Sequence, residues 1–290
     1  MIRIVKAGRL FNTHIKSRKN AIIDSTLSSA VFYAFAGSRE LQGGAARGNP
    51  CKVTLLSEAP VQPPVPDLNT QCLSWRIDEH VYAVRCWSPA NSEITLCGHG
   101  LLCCGAAWAH MGQTASILEM NGLQADFYAD NNDAWIGLPN INCSACRVPL
   151  WVGEFFPVPP IRAAEAGGDE GYLVLEWPDD YDLRSLPIPL NALQRRTKRG
   201  LIVTCRDTER TTTDIKLRYF AVQHGVPEDT ATGSAMRVLS TYWNNRGLGK
   251  QLRALQSSTD GGELCSRIHG DLTWIGGRVL QNAAGELYVS

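Results

Sequence analysis

The sequence contains no run approaching the roughly 20 consecutive apolar residues that a membrane-spanning helix needs, so no membrane partner is expected. It also lacks an excess of either charge. Lysine plus arginine (28) equals aspartate plus glutamate (28), and nucleic-acid or anionic-surface binding would leave a basic surplus. Metal-ligand spacing is missing as well. Cys143-Ser-Ala-Cys146 is the one CxxC, no second spaced pair accompanies it, and the adjacent Cys103-Cys104 form a poor chelate. The CxxC lies in "INCSACRVPLWV", which reads as turn into strand, whereas redox CxxC motifs normally open a helix. Neither a metal nor an organic cofactor is therefore expected. The first twenty residues carry six Lys/Arg and no acid but have no apolar secretory core. Residues 1–30 read as an N-terminal extension and the cytoplasm as the compartment, with the ten cysteines reduced and several acting as small buried hydrophobes.

What the chain does have is core-forming material. Hydrophobic residues make up 44% of 290 and charged residues 19%, a globular composition long enough for two ordinary domains. "VFYAFA" and "CKVTLL" read as strands around a glycine-rich loop, and the proline-rich "SEAPVQPPVPDLN" as an extended surface loop. "VYAVRCWS" is a strand feeding a turn, "LLCCGAAWAHM" one short buried helix, and "ASILEM", "QADFYA" and "AWIGL" successive strands. Residues 152–171, with their prolines and glycines, are the candidate linker between domains at 31–150 and 151–290. The second half repeats the arrangement of strand, polar loop and apolar helix: "SPANSEITLCGHGLLCCGAAW" compares with "HGVPEDTATGSAMRVLSTYW". Duplicated halves predict a site between them.

Both loops are suited to a small anion. In "EDTATGSA", Asp229 precedes Thr232-Gly233-Ser234. Glycine admits a ligand to the backbone, and helix-start amides bind carboxylate or phosphate, while Ser and Thr there also serve simply as caps. An acid beside such donors is suited to shuttle a proton. In "CGHG", Cys97 sits where the start of a helix favours a thiolate, and His99 can bind substrate or protonate it. From the residues alone, Cys97 serves core packing as readily as catalysis, and a lone histidine is usually structural.

"GNPCKVTLL" at 48–56, "LCGHGLLCCGAA" at 96–107 and "EDTATGSAM" at 228–236 resemble, in order and spacing, the signatures of the phenazine-biosynthesis (PhzF-like) family. The resemblance runs from about residue 31 to the C-terminus. It implies an α+β fold of the diaminopimelate epimerase type: two pseudo-symmetric domains, each a sheet wrapped round a central helix, with the site in the cleft. The closing strand is then free to return to the first domain. The implied function is a cofactor-independent isomerase or epimerase of a small carboxylate or amino-acid-like substrate, in biosynthesis, with a homodimer as the implied assembly.

Carried onto this chain, the resemblance gives Cys97, Asp229 and His99 as catalytic residues. Asn49, Gly98, Gly100, Thr232, Gly233 and Ser234 are given as substrate-binding. Two departures matter. Where the family's isomerases carry a glutamate acid/base, "DLNTQCLSW" offers Gln71, which cannot shuttle a proton; Glu58 or Glu79 would be a substitute out of register. Where the family has a small residue, this chain has Cys97, resembling the first half-site of proline racemases and diaminopimelate epimerases. The second cysteine of those relatives falls at Ala231. The favoured expectation is proton transfer by unlike groups, Cys97 and Asp229. The alternatives are a PhzF-type proton shift through Asp229 with His99 assisting, and a relative that binds small molecules without turning them over.

Overall fold

The computed structural model describes residues 25–37, 40–41, 44–130 and 133–282. The basic start of the expected extension, through position 24, lies outside the described residues; its last residues open the first strand. The first half contains β1 (Thr26–Ala34), the two-residue strands β2 (Glu40–Leu41) and β3 (Gly44–Ala45), β4 (Asn49–Leu56), β5 (Thr70–Arg76), β6 (Val81–Trp87) and β7 (Glu93–Ile94). Helix α1 (Gly98–His110) follows, then β8 (Ile117–Met120), β9 (Leu123–Asp130) and β10 (Asp133–Pro139). The second half runs through β11 (Cys143–Cys146), β12 (Arg162–Ala166), β13 (Tyr172–Glu176), β14 (Gly200–Arg206), β15 (Ile215–Ala221) and β16 (Val226–Asp229). It closes with helix α2 (Gly233–Asn245), β17 (Gln251–Gln256), β18 (Gly262–His269) and β19 (Leu272–Gln281).

One order of strand pairing occurs twice. In the first half β4 lies parallel to β5, β5 antiparallel to β6, and β6 antiparallel to β7 but parallel to β8; β8, β9 and β10 continue as a meander. In the second half β13 and β14 are parallel, β14 and β15 antiparallel, and β15 is antiparallel to β16 but parallel to β17; β17, β18 and β19 form the meander. Strand β19 then pairs with both β10 and β1, so the two halves share one continuous hydrogen-bonded sheet. The parallel step across each helix is what a strand–helix–strand crossover produces.

Helix α1 is buried from Gly98 to Trp108, as an apolar run with no charged face requires. It packs against β1, β4, β5, β6, β9, β10 and β19. Two of its glycines are demanded by neighbours rather than by the helix, in which glycine costs about 1 kcal/mol relative to alanine. A β-carbon on Gly105 would stand 2.3 Å from the Phe127 ring, and one on Gly100 2.6 Å from Cys72 Sγ. Helix α2 buries Ala235, Met236, Val238, Leu239, Tyr242 and Trp243 against β11, β13, β17, β18 and β19.

Two expectations change. The proline-rich 152–171 stretch contains β12, which pairs with β11 on one side and β13 on the other, so the second half's hydrogen bonding begins at Cys143. And the cysteines are not all reduced: Cys72 and Cys86 form a disulfide. They are direct cross-strand neighbours on β5 and β6, with Cα atoms 4.3 Å apart, so both side chains leave the sheet on the same face. Among the described residues no helix is long and apolar enough to cross a membrane.

Candidate active site

The two helix starts meet. A β-carbon on Gly98 would lie 3.4 Å from Gly233 Cα, and one on Gly233 3.5 Å from Gly98 Cα, so the two helix starts stand in van der Waals contact. The residues before them adopt nearly the same extended backbone: Cys97 at φ −126°, ψ 95° and Thr232 at φ −122°, ψ 101°. Neither caps its own helix with its side chain. The counterpart of Cys97 is therefore Thr232, one position beyond the expected Ala231. The first amides of both helices, from Gly98 through Gly100 and from Gly233 through Ala235, point out of two dipole-positive ends at one place. That arrangement favours a carboxylate.

Cys97 and His99 form a pair at the first start. The sulfur lies 3.4 Å from Nδ1 and 3.8 Å from Nε2 of the imidazole, and both residues are buried. Burial opposes a charge on His99, but the Cys97 sulfur and, further off, the Asp229 carboxylate outweigh it and raise its pKa. The histidine therefore binds a proton more readily than a free imidazole does.

Asp229 ends β16 and is fixed from three directions. Its Oδ1 accepts from Asn49 Nδ2 at 2.8 Å and from the Thr230 amide at 3.0 Å; its Oδ2 accepts from the Thr232 hydroxyl at 2.5 Å. That last bond explains why Thr232 does not cap α2. Asn49, a candidate substrate-binding residue, reaches across the halves with its amide nitrogen, donating also to the Ala231 carbonyl at 2.9 Å, and holds the Asp229 loop in place. Gln256, not singled out from the sequence, completes the frame. Its Nε2 donates to the Asp229 carbonyl at 2.7 Å and its Oε1 accepts from the Thr232 amide at 2.8 Å. Ser258 donates to the Thr230 carbonyl at 2.6 Å. Gln256 ends β17 and Ser258 lies just past it, with no motif of their own; the one sequence signal is the polar run Gln256-Ser257-Ser258.

Gln71 does not stand in this group. Cys72 and Ser74 face α1, the first through its disulfide beside Gly100 and the second by accepting a hydrogen bond from Trp108. Strand alternation turns Gln71 to the opposite face with Leu73, and its amide donates to the Val65 carbonyl of the proline-rich loop at 2.6 Å. The residue on the helix-facing side of this strand's start is Thr70, which also lacks a titratable proton. Glu58 and Glu79 are exposed. Gly100 lies at the helix start with its α-carbon against sulfurs, and Ser234 occupies on α2 the position of His99 on α1. Among the described residues no group of three or more His, Cys, Asp or Glu side chains is arranged to hold a metal ion.

Comparison with known proteins identifies the family and the fold. A "phenazine biosynthesis-like protein" (PhzC-PhzF) family model matches residues 153–270. A phenazine biosynthesis-like domain-containing protein of Rattus norvegicus is 32% identical over 206 residues, covering 64% of this chain and 70% of the relative. An uncharacterized isomerase of Pseudomonas aeruginosa is 30% identical over 211 residues, covering 70% and 77%. A PhzF-family structure from Enterococcus faecalis superposes with TM-score 0.71 at 22% identity, over 88% of this chain and 98% of that one. A hydroxyproline epimerase from Agrobacterium vitis, with bound trans-4-hydroxy-L-proline, does so at 0.56 and 11% identity, over 88% and 90%; at that identity the likeness is one of fold alone. The class these matches define is an isomerase with the fold of the PhzF and epimerase proteins. The chain belongs to the phenazine biosynthesis-like (PhzF) family.

Proposed function

We propose that this protein is a cofactor-independent isomerase that removes a proton from carbon next to a carboxylate on one face and returns one from the other. Cys97, paired with His99, serves one face and Asp229 the other. The observation that supports this reading is the approach of the two helix starts, Gly98 against Gly233, which brings the loops carrying Cys97 and Asp229, 132 positions apart in the chain, to one place. The substrate carboxylate binds the first amides of α1 and α2, and the same donors stabilise the enolate-like charge that develops when the proton leaves. Cys97 gives its own proton to His99 and takes the substrate's; Asp229, oriented by Asn49 and Thr232 and carrying a proton in this direction of the reaction, delivers the replacement and is left as the carboxylate. The recurrence of strand pairings supports the finer architecture as well: two pseudo-symmetric lobes, each a sheet around its helix, with the cleft at their junction.

A second reading is a proton shift along the substrate, of the PhzF type, run by Asp229 with His99. The electrostatic coupling between those two residues favours it. The two readings separate in one experiment. A panel of amino and hydroxy acids and of unsaturated cyclic acids is incubated with the protein in D2O and followed by mass. Label at the carbon beside the carboxylate, lost in both Cys97→Ala and Asp229→Asn, supports the first. Label lost in Asp229→Asn but retained in Cys97→Ala supports the second. Full exchange in both variants contradicts both.

A further inference from the structure

We infer that Cys97, Cys86, Cys72 and Cys51 form a thiol–disulfide exchange site, through which small thiols arriving at the helix starts reach the otherwise sealed Cys72–Cys86 disulfide. The inference is independent of the isomerase reading; it uses the Cys97–His99 pair but no step of that reaction.

The geometry is a shared pocket of sulfur. The point where a β-carbon on Gly100 would stand is 2.6 Å from Cys72 Sγ, 2.7 Å from Cys86 Sγ and 3.0 Å from Cys97 Sγ. Glycine here leaves room for three sulfurs around one point. A fourth joins them: the Cys51 thiol donates to Cys72 Sγ at 3.4 Å. All four are buried; Cys51, Cys72 and Cys86 expose nothing, and Cys97, at the start of α1, keeps 4% of its surface exposed. Two further thiols nearby, Cys103 and Cys104, are pushed well above the ordinary thiol range by burial and by neighbouring cysteines. They stay protonated and take no part.

The chemistry balances without an added oxidant. Cys97 passes its proton to His99, whose pKa is raised in its favour. The thiolate attacks Cys86 Sγ, forming a Cys97–Cys86 bond while the Cys72–Cys86 bond breaks. The electron pair leaves on Cys72 Sγ, where the S–H of Cys51 stabilises the charge; the better-supported thiolate is the better leaving group. One thiol and one disulfide become one thiolate and one disulfide. A small thiol entering at the helix start then attacks Cys97, giving a mixed disulfide on Cys97 and freeing Cys86. A second such thiol restores Cys97 and departs as the oxidised small disulfide. In sum, two small thiols are oxidised and the buried disulfide is reduced. While Cys97 is bonded to Cys86 or to the small thiol, it cannot accept a substrate proton.

The test reads disulfides rather than turnover. The purified full-length protein is treated with reduced glutathione, quenched in acid, alkylated and mapped by peptide mass spectrometry, alongside Cys97→Ser. The expected result is a trapped Cys97–Cys86 linkage and glutathione on Cys97 in the native chain. Loss of Cys72–Cys86 should be slower in Cys97→Ser by at least about tenfold. Equal rates in the two proteins, or glutathione on Cys72 or Cys86 with Cys97 untouched, overturn the inference. If circular dichroism shows Cys97→Ser misfolded, the native chain decides alone: no Cys97–Cys86 linkage at any quench time overturns it, and its appearance before net reduction supports it.

Discussion

Trp108 and Trp243 occupy the same position in α1 and α2, and each indole donates to a strand hydroxyl: Ser74 Oγ at 2.8 Å in the first half, Thr204 Oγ1 at 3.2 Å in the second. Each hydroxyl passes a bond to a carbonyl of the next strand, Ala83 or Lys216, at 2.8 Å in both halves. Around this common bond the fillings diverge. The first half fills the space round its helix with sulfur, Cys51, Cys72 and Cys86 from the strands and Cys103 and Cys104 from the helix itself. The second places a buried carboxylate, Glu176, against its helix, accepting a short hydrogen bond from Tyr242 and pairing with Arg162 at 3.1 Å and Arg246 at 3.4 Å. The difference separates what the fold needs from what the site needs. A tethered indole and two glycine helix starts recur; the residue that opens each helix, Cys97 or Thr232, does not.

The largest contrast expected is at those two openings. Cys97→Ala should lower proton exchange by about 10²–10⁴-fold, the range for a lost general acid or base. Thr232→Val removes the hydrogen bond to Asp229 and the one accepted from Gln256 at 3.1 Å; it should cost about ten- to hundredfold, since a bond to a charged group contributes about 1.5–3 kcal/mol. Comparable losses in the two variants would erase the distinction between a reacting and an orienting residue. In stability, Glu176→Gln should cost about 2–3 kcal/mol by chemical denaturation. That is below the range for a fully buried pair, because both arginines reach solvent. Exchange activity should be unaffected, and a large activity loss would tie that network to the site.

Gly100→Ala should destabilise by about 1–3 kcal/mol through overpacking against sulfur, and its counterpart Ala235→Gly by about 1 kcal/mol through helix propensity. Unfolding that ranks them the other way would mean the sulfur pocket tolerates a methyl group. Ser74→Ala and Thr204→Val should each cost about 1–2 kcal/mol, by leaving an indole N–H without its acceptor; markedly unequal costs would break the equivalence of the halves. The smallest effect concerns pH. Because the pKa of folded His99 is raised, its contribution to stability is complete below about pH 6.5, the ordinary imidazole value, and is lost as pH rises through the folded pKa. His99→Gln should flatten that decline in a series of melts; an unchanged slope would show that the charge on His99 is not linked to folding.

The positions of both helices, their loops and the duplicated arrangement are legible in the chain, because they depend on local apolar runs and on glycine where backbones approach. Cys97, His99 and Asp229 are legible for the same reason: each lies beside a helix start that the sequence marks. The role of Asn49 is not, since its partners come from the other half and a motif does not say what an amide will hold. Gln71 fails on parity. In a strand a shift of one residue turns a side chain to the other face, and the prolines before β5 blur that count. The Cys72–Cys86 disulfide is visible only once β5 and β6 are in register, where the two cysteines stand equally far from the turn. Glu176, Tyr242 and the two arginines come from separate elements, and only tertiary packing joins them.

The central claim is that two unlike groups serve opposite faces of one carbon. Its most direct test follows the conversion from each direction in D2O and compares label in the product with label in the unreacted substrate. The account predicts that deuterium enters the product first from either direction, and that Cys97→Ala and Asp229→Asn both abolish conversion together with exchange. Label entering unreacted substrate and product at the same rate in the native protein would mean a single group does both transfers, and would contradict it.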